Sequence, residues 1–331
     1  MNEDYPIIVN EDVLTEVFIP DRLFHREGQI RQIERCLKPA LKNSPIENIF
    51  LLGVSGTGKT TVMKWILENY FKDISAYVNC WKSRTIYEVL KEVLLTLQLP
   101  IHGREPTAEL IKKLEKRAKK KRIIICLDEV DRLKNIDLLY ILARSNCGLI
   151  LVSTSYHSLL HLTTRIRRSL SLSEIEFPAY RAEEISDILK ERVEYALRPG
   201  TIDKSMIKMA ALASIGDARV GIEILRKASK KAEANNLSKI GFKEVEGAIA
   251  EVNRLELLYP VQNLNEHQKE ILKILGKKKS ISSGQLYLEY KKLVSKPVVD
   301  RAYRKYMKKM VNLGLVKADG KGRWRTYKIL M

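Results

Sequence analysis

Gly53-Val54-Ser55-Gly56-Thr57-Gly58-Lys59-Thr60 sets glycines, a lysine and a hydroxyl at the spacing G-x-x-x-x-G-K-[ST], the spacing of a phosphate-binding loop. Its glycines let the backbone wrap a triphosphate. The helix that follows turns its first N–H groups and its positive dipole end toward the same anion. Lys59 would reach the outer phosphates and the Thr60 hydroxyl would ligate Mg²⁺. The expected cofactors are ATP or ADP with Mg²⁺, held by Val54, Ser55, Gly56, Thr57, Gly58, Lys59, Thr60 and Thr61. A second chemical group lies at Ile123-Ile124-Ile125-Cys126-Leu127-Asp128-Glu129, an apolar run that ends in two carboxylates. In a parallel sheet both carboxylates emerge at the edge where the nucleotide sits. Asp128 would hold Mg²⁺ through its water shell, and Glu129 would orient and deprotonate an attacking water. A third position, Thr154 in Val152-Ser153-Thr154, can fix that water or serve as an ordinary loop hydroxyl. The residues alone leave both readings open.

These groups need a sheet to hold them. Strand-like runs at 49–52, 75–79, 122–127, 149–153 and 175–177 alternate with helical patterns, which predicts a parallel sheet covered on both faces. The basic run Lys112–Arg122 is expected to be the exposed end of a helix. A second block, 178–260, reads as helix throughout and predicts a compact bundle. Asp203 and Asp217 are its expected helix caps, and Tyr259-Pro260 its boundary. The third block, 261–331, offers helices at 264–275, 283–293 and 298–313, with Ser283 as a cap for the middle one. Strands at 315–318 and 324–329 follow them. Three helices and then a hairpin is the order of a winged helix, a relative of the helix-turn-helix. The domains expected are thus 1–177, 178–260 and 261–331.

The 331 residues carry a net charge of +19. From Gln262 onward there are 18 lysines and arginines against 5 acidic residues, so +13 of that charge lies in the last block. So uneven a distribution points to nucleic acid phosphates. In a winged helix the third helix enters the major groove and the wing grips the backbone or minor groove. The third helix offers Lys296, Arg301, Arg304, Lys305, Lys308 and Lys309, several of them spaced onto one face opposite Val299, Tyr303, Met307 and Met310. Lys321, Arg323 and Arg325 fall to the wing. Cys36, Cys80, Cys126 and Cys147 form no C-x-x-C pair, so neither a disulfide framework nor a zinc site is expected. His157 and His161 lack a third ligand nearby and are read as structural. The N-terminus does not read as a signal peptide, and no apolar run approaches membrane-spanning length. The expectation is a cytoplasmic protein associated with the nucleoid and not with a membrane.

Several motifs together resemble one family. Val17-Phe18-Ile19-Pro20-Asp21-Arg22-Leu23-Phe24-His25-Arg26-Glu27, the phosphate loop, Tyr77-Val78-Asn79-Cys80 and Leu127-Asp128-Glu129-Val130-Asp131 are similar to those of archaeal origin-recognition initiators. Phe177-Pro178-Ala179-Tyr180, Gly216-Asp217-Ala218-Arg219 and the terminal winged helix extend the likeness over nearly the whole chain. These initiators are AAA+ proteins related to subunits of the eukaryotic origin recognition complex. The resemblance implies an α/β AAA+ P-loop parallel-sheet domain with a helical lid, followed by a C-terminal winged-helix DNA-binding domain. It implies that Arg219 is the lid's sensor-2 arginine. It places Pro20, Leu23, His25 and Arg26 around the adenine, closed off by Tyr180 and Ile188. Thr154 stands at the sensor-1 position, where the family commonly has asparagine. One hydroxyl donor replaces an amide's two there, which predicts slow hydrolysis. An arginine finger is expected within Thr164-Arg165-Ile166-Arg167-Arg168-Ser169, with no one arginine singled out. The family's extra DNA-contacting insertion maps to the region of Arg104. The implied function is an ATP-dependent, weakly hydrolysing initiator that marks replication origins on double-stranded DNA. The replicative helicase and paralogous initiators are its implied partners. The alternative is a signalling or transcriptional ATPase with a winged-helix effector, and a DNA-transposition helper is a third option.

Overall fold

A computed structural model of the chain describes residues 6–103, 105–154, 164–262, 264–278, 280–312, 315–320 and 325–329. The chain forms two compact units, Met1–Val245 and Glu246–Met331. The α/β and helical blocks expected as separate domains therefore share the first unit. Helix Phe242–Gln262 runs through both Val245 and the Tyr259-Pro260 dipeptide where a boundary was expected.

In the first unit, strands β1 (Asn48–Leu52), β2 (Ser75–Asn79), β3 (Ile123–Asp128), β4 (Cys147–Ser153) and β5 (Leu172–Glu176) form a parallel sheet in the order β2-β3-β4-β1-β5. Alternate side chains enter different cores. Phe50, Ile125 and Leu151 pack on one face under α3 (Ile86–Thr96), α4 (Thr107–Lys120), α5 (Asp137–Arg144) and α6 (Thr164–Leu170). Ile49, Cys126 and Val152 pack on the other under α1 (Glu27–Leu37) and α2 (Lys59–Tyr70). Burial on both faces is why these strands read as continuous apolar runs and not as alternating ones. All four cysteines are buried free thiols within this unit. The Lys112–Arg122 run is largely the end of α4, whose Leu110, Leu114 and Ala118 face the core.

Helices α7 (Ala182–Ala196), α8 (Lys204–Ala213) and α9 (Ala218–Ala234) make up the lid. Asp217 caps α9 by accepting the Arg219 N–H at 2.9 Å. Asp203 occupies the cap position of α8 without a capping hydrogen bond from its side chain. The N-terminal segment is tied to this bundle. Val9 N–H donates to Ala196 O, Ile8 N–H to Glu233, and Arg226 and Lys230 pair with Glu11.

In the second unit, α10 (Phe242–Gln262, begun in the first unit) leads to α11 (Glu266–Gly276), β6 (Ile281–Ser282), α12 (Ser283–Leu293), α13 (Asp300–Asn312), β7 (Val316–Asp319) and β8 (Thr326–Ile329). The strands form an antiparallel sheet in the order β6-β8-β7, the arrangement of a winged helix. The two-residue β6 was too short to be read from periodicity. The α12 cap is Ser282 and not Ser283, because it is the Ser282 hydroxyl that accepts from Gln285 N–H. Tyr287, Tyr290 and Tyr303 pack ring on ring at the centre, with Tyr303 centroids 4.6 and 5.4 Å from the other two. The Tyr290 hydroxyl accepts the Val298 N–H at 3.0 Å and pairs with His267 Nδ1 at 2.8 Å. It thereby holds the turn that leads into α13. Tyr290→Phe leaves that N–H without its partner and should destabilise this unit by about 1–3 kcal/mol, measured as a lower urea midpoint at unchanged slope.

Candidate nucleotide and DNA sites

The phosphate loop leaves β1 and enters α2. Gly56 and Gly58 adopt φ of +71° and +85°, conformations that side chains disfavour. A Cβ on Gly56 would come within 1.8 Å of Asp217 Oδ1, and one on Gly58 within 2.7 Å of the Tyr180 hydroxyl. Glycine here serves both the turn and the close approach of the lid. Lys59 is 7% exposed, and its ammonium donates to Gly53 O at 2.6 Å and Val54 O at 2.8 Å. Burial pulls its pKa down to about 8, against the opposing pull of Asp128.

Because β4 lies between β1 and β3, the end of β4 sits between the loop and the acidic pair. Asp128 Oδ2 accepts from the Thr60 hydroxyl at 2.6 Å and the Tyr77 hydroxyl at 2.7 Å, while Oδ1 accepts the Glu129 N–H at 2.9 Å. Glu129 follows with a left-handed φ of 53°, a strained position of the kind that collects at functional sites. Burial, and then the charge of Asp128, pushes its carboxyl pKa upward. Thr60 and Asp128 present hard oxygens side by side, a donor set that suits Mg²⁺ completed by water and phosphate.

A cavity of about 570 Å³ joins these parts. Its wall includes Ser55 through Thr61, Asp128, Glu129, Thr154 and Arg219, together with Pro20, Leu23, Tyr180 and Ile188. Arg219 spans from lid to loop, donating to the Ser55 hydroxyl at 2.6 Å and to Asp217 Oδ2 at 2.9 Å. Val54, His25 and Arg26, expected at the nucleotide, are not part of this wall. Val54 points out to solvent, and His25 Nε2 pairs with Asp187 at 3.0 Å. Arg26 is 3% exposed and spends its donors on Thr57 O, His25 O and Pro178 O, with its guanidinium 3.7 Å from the Tyr180 ring centroid. It ties the loop to the segment that follows β5. The sequence reading had missed Tyr77, Asp217 as a neighbour of the loop, and Arg192, which lines the cavity and donates to Val13 O at 2.8 Å. The Asp217 cap was legible from Gly216-Asp217. Tyr77 stands in a motif that gives its hydroxyl no role and Arg192 in none, since each reaches a partner distant in the chain.

In the second unit, Tyr303, Met307 and Met310 are buried, while Arg301, Arg304, Lys305, Lys308 and Lys309 on the same helix are exposed. Lys296 and Arg325 are exposed as well. Val299, assigned to the apolar face, is 72% exposed because it precedes the helix. Arg304 is paired with Asp300 at 2.6 Å. Arg104, Lys321, Arg323, His157 and His161 lie outside the described residues, as do the side chains of Arg165 and Arg167.

Residues 46–165 match the AAA domain family, and residues 186–250 match the Cdc6 AAA+ ATPase-type lid domain. The ORC1-type DNA replication protein 1 of Sulfolobus acidocaldarius is 33% identical, over 92% of this chain and 83% of that protein. Its counterpart from Sulfurisphaera tokodaii is 31% identical over 94% and 86%. The structure of the Aeropyrum pernix ORC1 protein in complex with DNA is similar at a TM-score of 0.78 and 29% identity, covering 98% of this chain and 93% of that one. The Aeropyrum pernix ORC2 protein shares the fold at a TM-score of 0.74 and 22% identity, over 98% and 94%.

The state of Lys59 has a measurable consequence. Its pKa is near 8 when folded, against about 10.4 in an unfolded chain. The unfolded chain thus binds more protons between these values, and the cost of burying the charge disappears as pH rises. Without nucleotide, the wild type should gain stability relative to Lys59→Met from about pH 8 to about pH 10, as read by denaturant titration of both proteins.

Proposed function

Since the chain belongs to the ORC1-type family of AAA+ DNA replication proteins, we propose that it is a nucleotide-controlled initiator that binds double-stranded DNA at replication origins. The observation that carries this reading is Arg219. It joins lid to phosphate loop at 2.6 Å, in a chain that also holds a helix with a solvent-facing basic stripe. ATP or ADP occupies the 570 Å³ cavity, with the base toward Pro20, Leu23 and Ile188 and the phosphates in the loop. On binding, the Lys59 ammonium exchanges carbonyl partners for phosphate oxygens, and Arg219 leaves Ser55 for the terminal phosphate.

Thr60 and Asp128 hold Mg²⁺, which neutralises phosphate charge when bound. Glu129 takes a proton from the attacking water; its raised pKa makes it the stronger base. Thr154 orients that water with one hydroxyl, so hydrolysis is slow and regulatory. Closure of the lid through Arg219 is the switch, and it governs recruitment of the replicative helicase alongside paralogous initiators in the cytoplasm. Functionally the chain divides at about 177 and 260 into ATPase, lid and DNA-binding segments. Among the described residues no helix is long and apolar enough to cross a membrane.

On the DNA side, Arg301, Lys305 and Arg325 meet phosphates or base edges, and Lys296 and Arg304 extend the footprint. Lys321, Arg323 and Arg104 are proposed contacts on sequence grounds. Footprinting over chromosomal fragments with ATP and with ADP tests the reading. Protection should concentrate at one class of locus and change with the nucleotide; uniform protection in both states overturns it. In the same titrations, Arg301→Ala with Lys305→Ala should weaken binding to every sequence. The salt dependence should flatten by about one counterion per side chain removed.

A further inference from the structure

Asp128 is 3% exposed, and both side-chain donors to its Oδ2 are hydroxyls, Thr60 at 2.6 Å and Tyr77 at 2.7 Å. The two donors have different fates under the function proposed above, on which this inference rests. The Thr60 oxygen is a metal ligand in that reading, so it turns away from Asp128 when Mg²⁺ and nucleotide arrive. Tyr77 has no such competing task. It sits on β2 opposite Cys126 of β3, and its phenol reaches along the neighbouring strand to the carboxylate. The Lys64 ammonium lies 5.0 Å from the ring centroid, and the ring packs against the core beneath α2. A phenol keeps its proton at neutral pH, so the hydroxyl is a donor to the carboxylate.

We infer that Tyr77 is the positioning residue for Asp128, fixing the carboxylate in the orientation that receives the metal's water shell after Thr60 has left it. With Thr60 gone, the Glu129 N–H on Oδ1 at 2.9 Å is the other hydrogen bond described for this carboxylate, and the Tyr77 hydroxyl fixes its second oxygen. Partners that orient a metal-binding group from behind commonly matter by 10–100-fold in metal affinity. Tyr77 touches the cavity wall, but its hydroxyl is committed to Asp128.

The test is calorimetric titration of ADP into wild type and Tyr77→Phe, with EDTA and across a Mg²⁺ series. Tyr77→Phe should bind ADP normally in EDTA, while its half-saturating Mg²⁺ concentration rises about tenfold. In an Asp128→Asn background, removing the same hydroxyl should have no further effect on Mg²⁺ dependence. A residue that served packing alone would lower the denaturation midpoint and leave the Mg²⁺ series unmoved. That result, or an additive loss in the Asp128→Asn background, overturns the inference while leaving the nucleotide site standing. A wild type whose ADP affinity ignores Mg²⁺ overturns the proposed metal role and this inference with it.

Discussion

Holding the Lys59 ammonium, almost out of solvent, against the carbonyl oxygens of Gly53 and Val54 is the constraint on which the site depends. A buried cation costs several kcal/mol unless oxygens surround it. Here the loop's own backbone supplies them, and the depressed pKa measures what they fail to recover. The arrangement is poised for an anion that can do better. Phosphate oxygens carry full charge where carbonyls carry only a dipole, so exchange of partners is favourable and needs little movement. Asp128 and Asp217 add negative charge nearby, while Arg26 and Arg219 add positive charge. With Lys59 itself, three cations face two carboxylates, so the cradle keeps a net positive charge that favours an anion.

The lid and the sheet lie in one compact unit, and the phosphate loop touches both. Asp217 lies against Gly56, Tyr180 against Gly58, and the Ala218 N–H donates to Gly56 O at 3.3 Å. Arg26 ties the loop to the β5 exit through Pro178 O. Each contact joins the phosphate loop to a segment more than a hundred residues away. The loop and α9 thus touch directly, with no intervening chain of side chains between them. The N-terminal segment, hydrogen-bonded to α7 and paired with α9, leads into Pro20 and Leu23 at the cavity wall.

Much of this was legible in the sequence where local pattern and chemistry coincide. The loop glycines, the apolar β3 run ending in Asp128-Glu129, and the Asp217 cap all pair a period or a cap with a chemical group. The fold of both units followed from the same periodicities. What the sequence did not show shares one physical cause. Arg26 and His25 stand in a motif expected at the base, yet their partners are Thr57 O, Pro178 O and Asp187. Only three-dimensional proximity reveals these partners. Tyr77 is apolar enough to pass for a strand residue, and only its register beside β3 shows what its hydroxyl meets. Val299 has the right residue type for a core position but precedes the first turn of α13, so helical periodicity did not apply to it.

The two sets of cations in this chain obey different physics. Lys59 and Arg26 are buried, each fixed by two or more backbone carbonyls, so added salt screens them little. Arg301, Lys305, Lys308 and Lys309 are exposed, and their attraction for a polyanion falls off within about 10 Å at moderate ionic strength. Salt therefore weakens the field of the exposed lysines and arginines far more than the interactions inside the phosphate loop. Segregating +13 of the net +19 into the last seventy residues makes that separation possible, since the phosphate loop is then not the site of strongest general attraction for a polyanion.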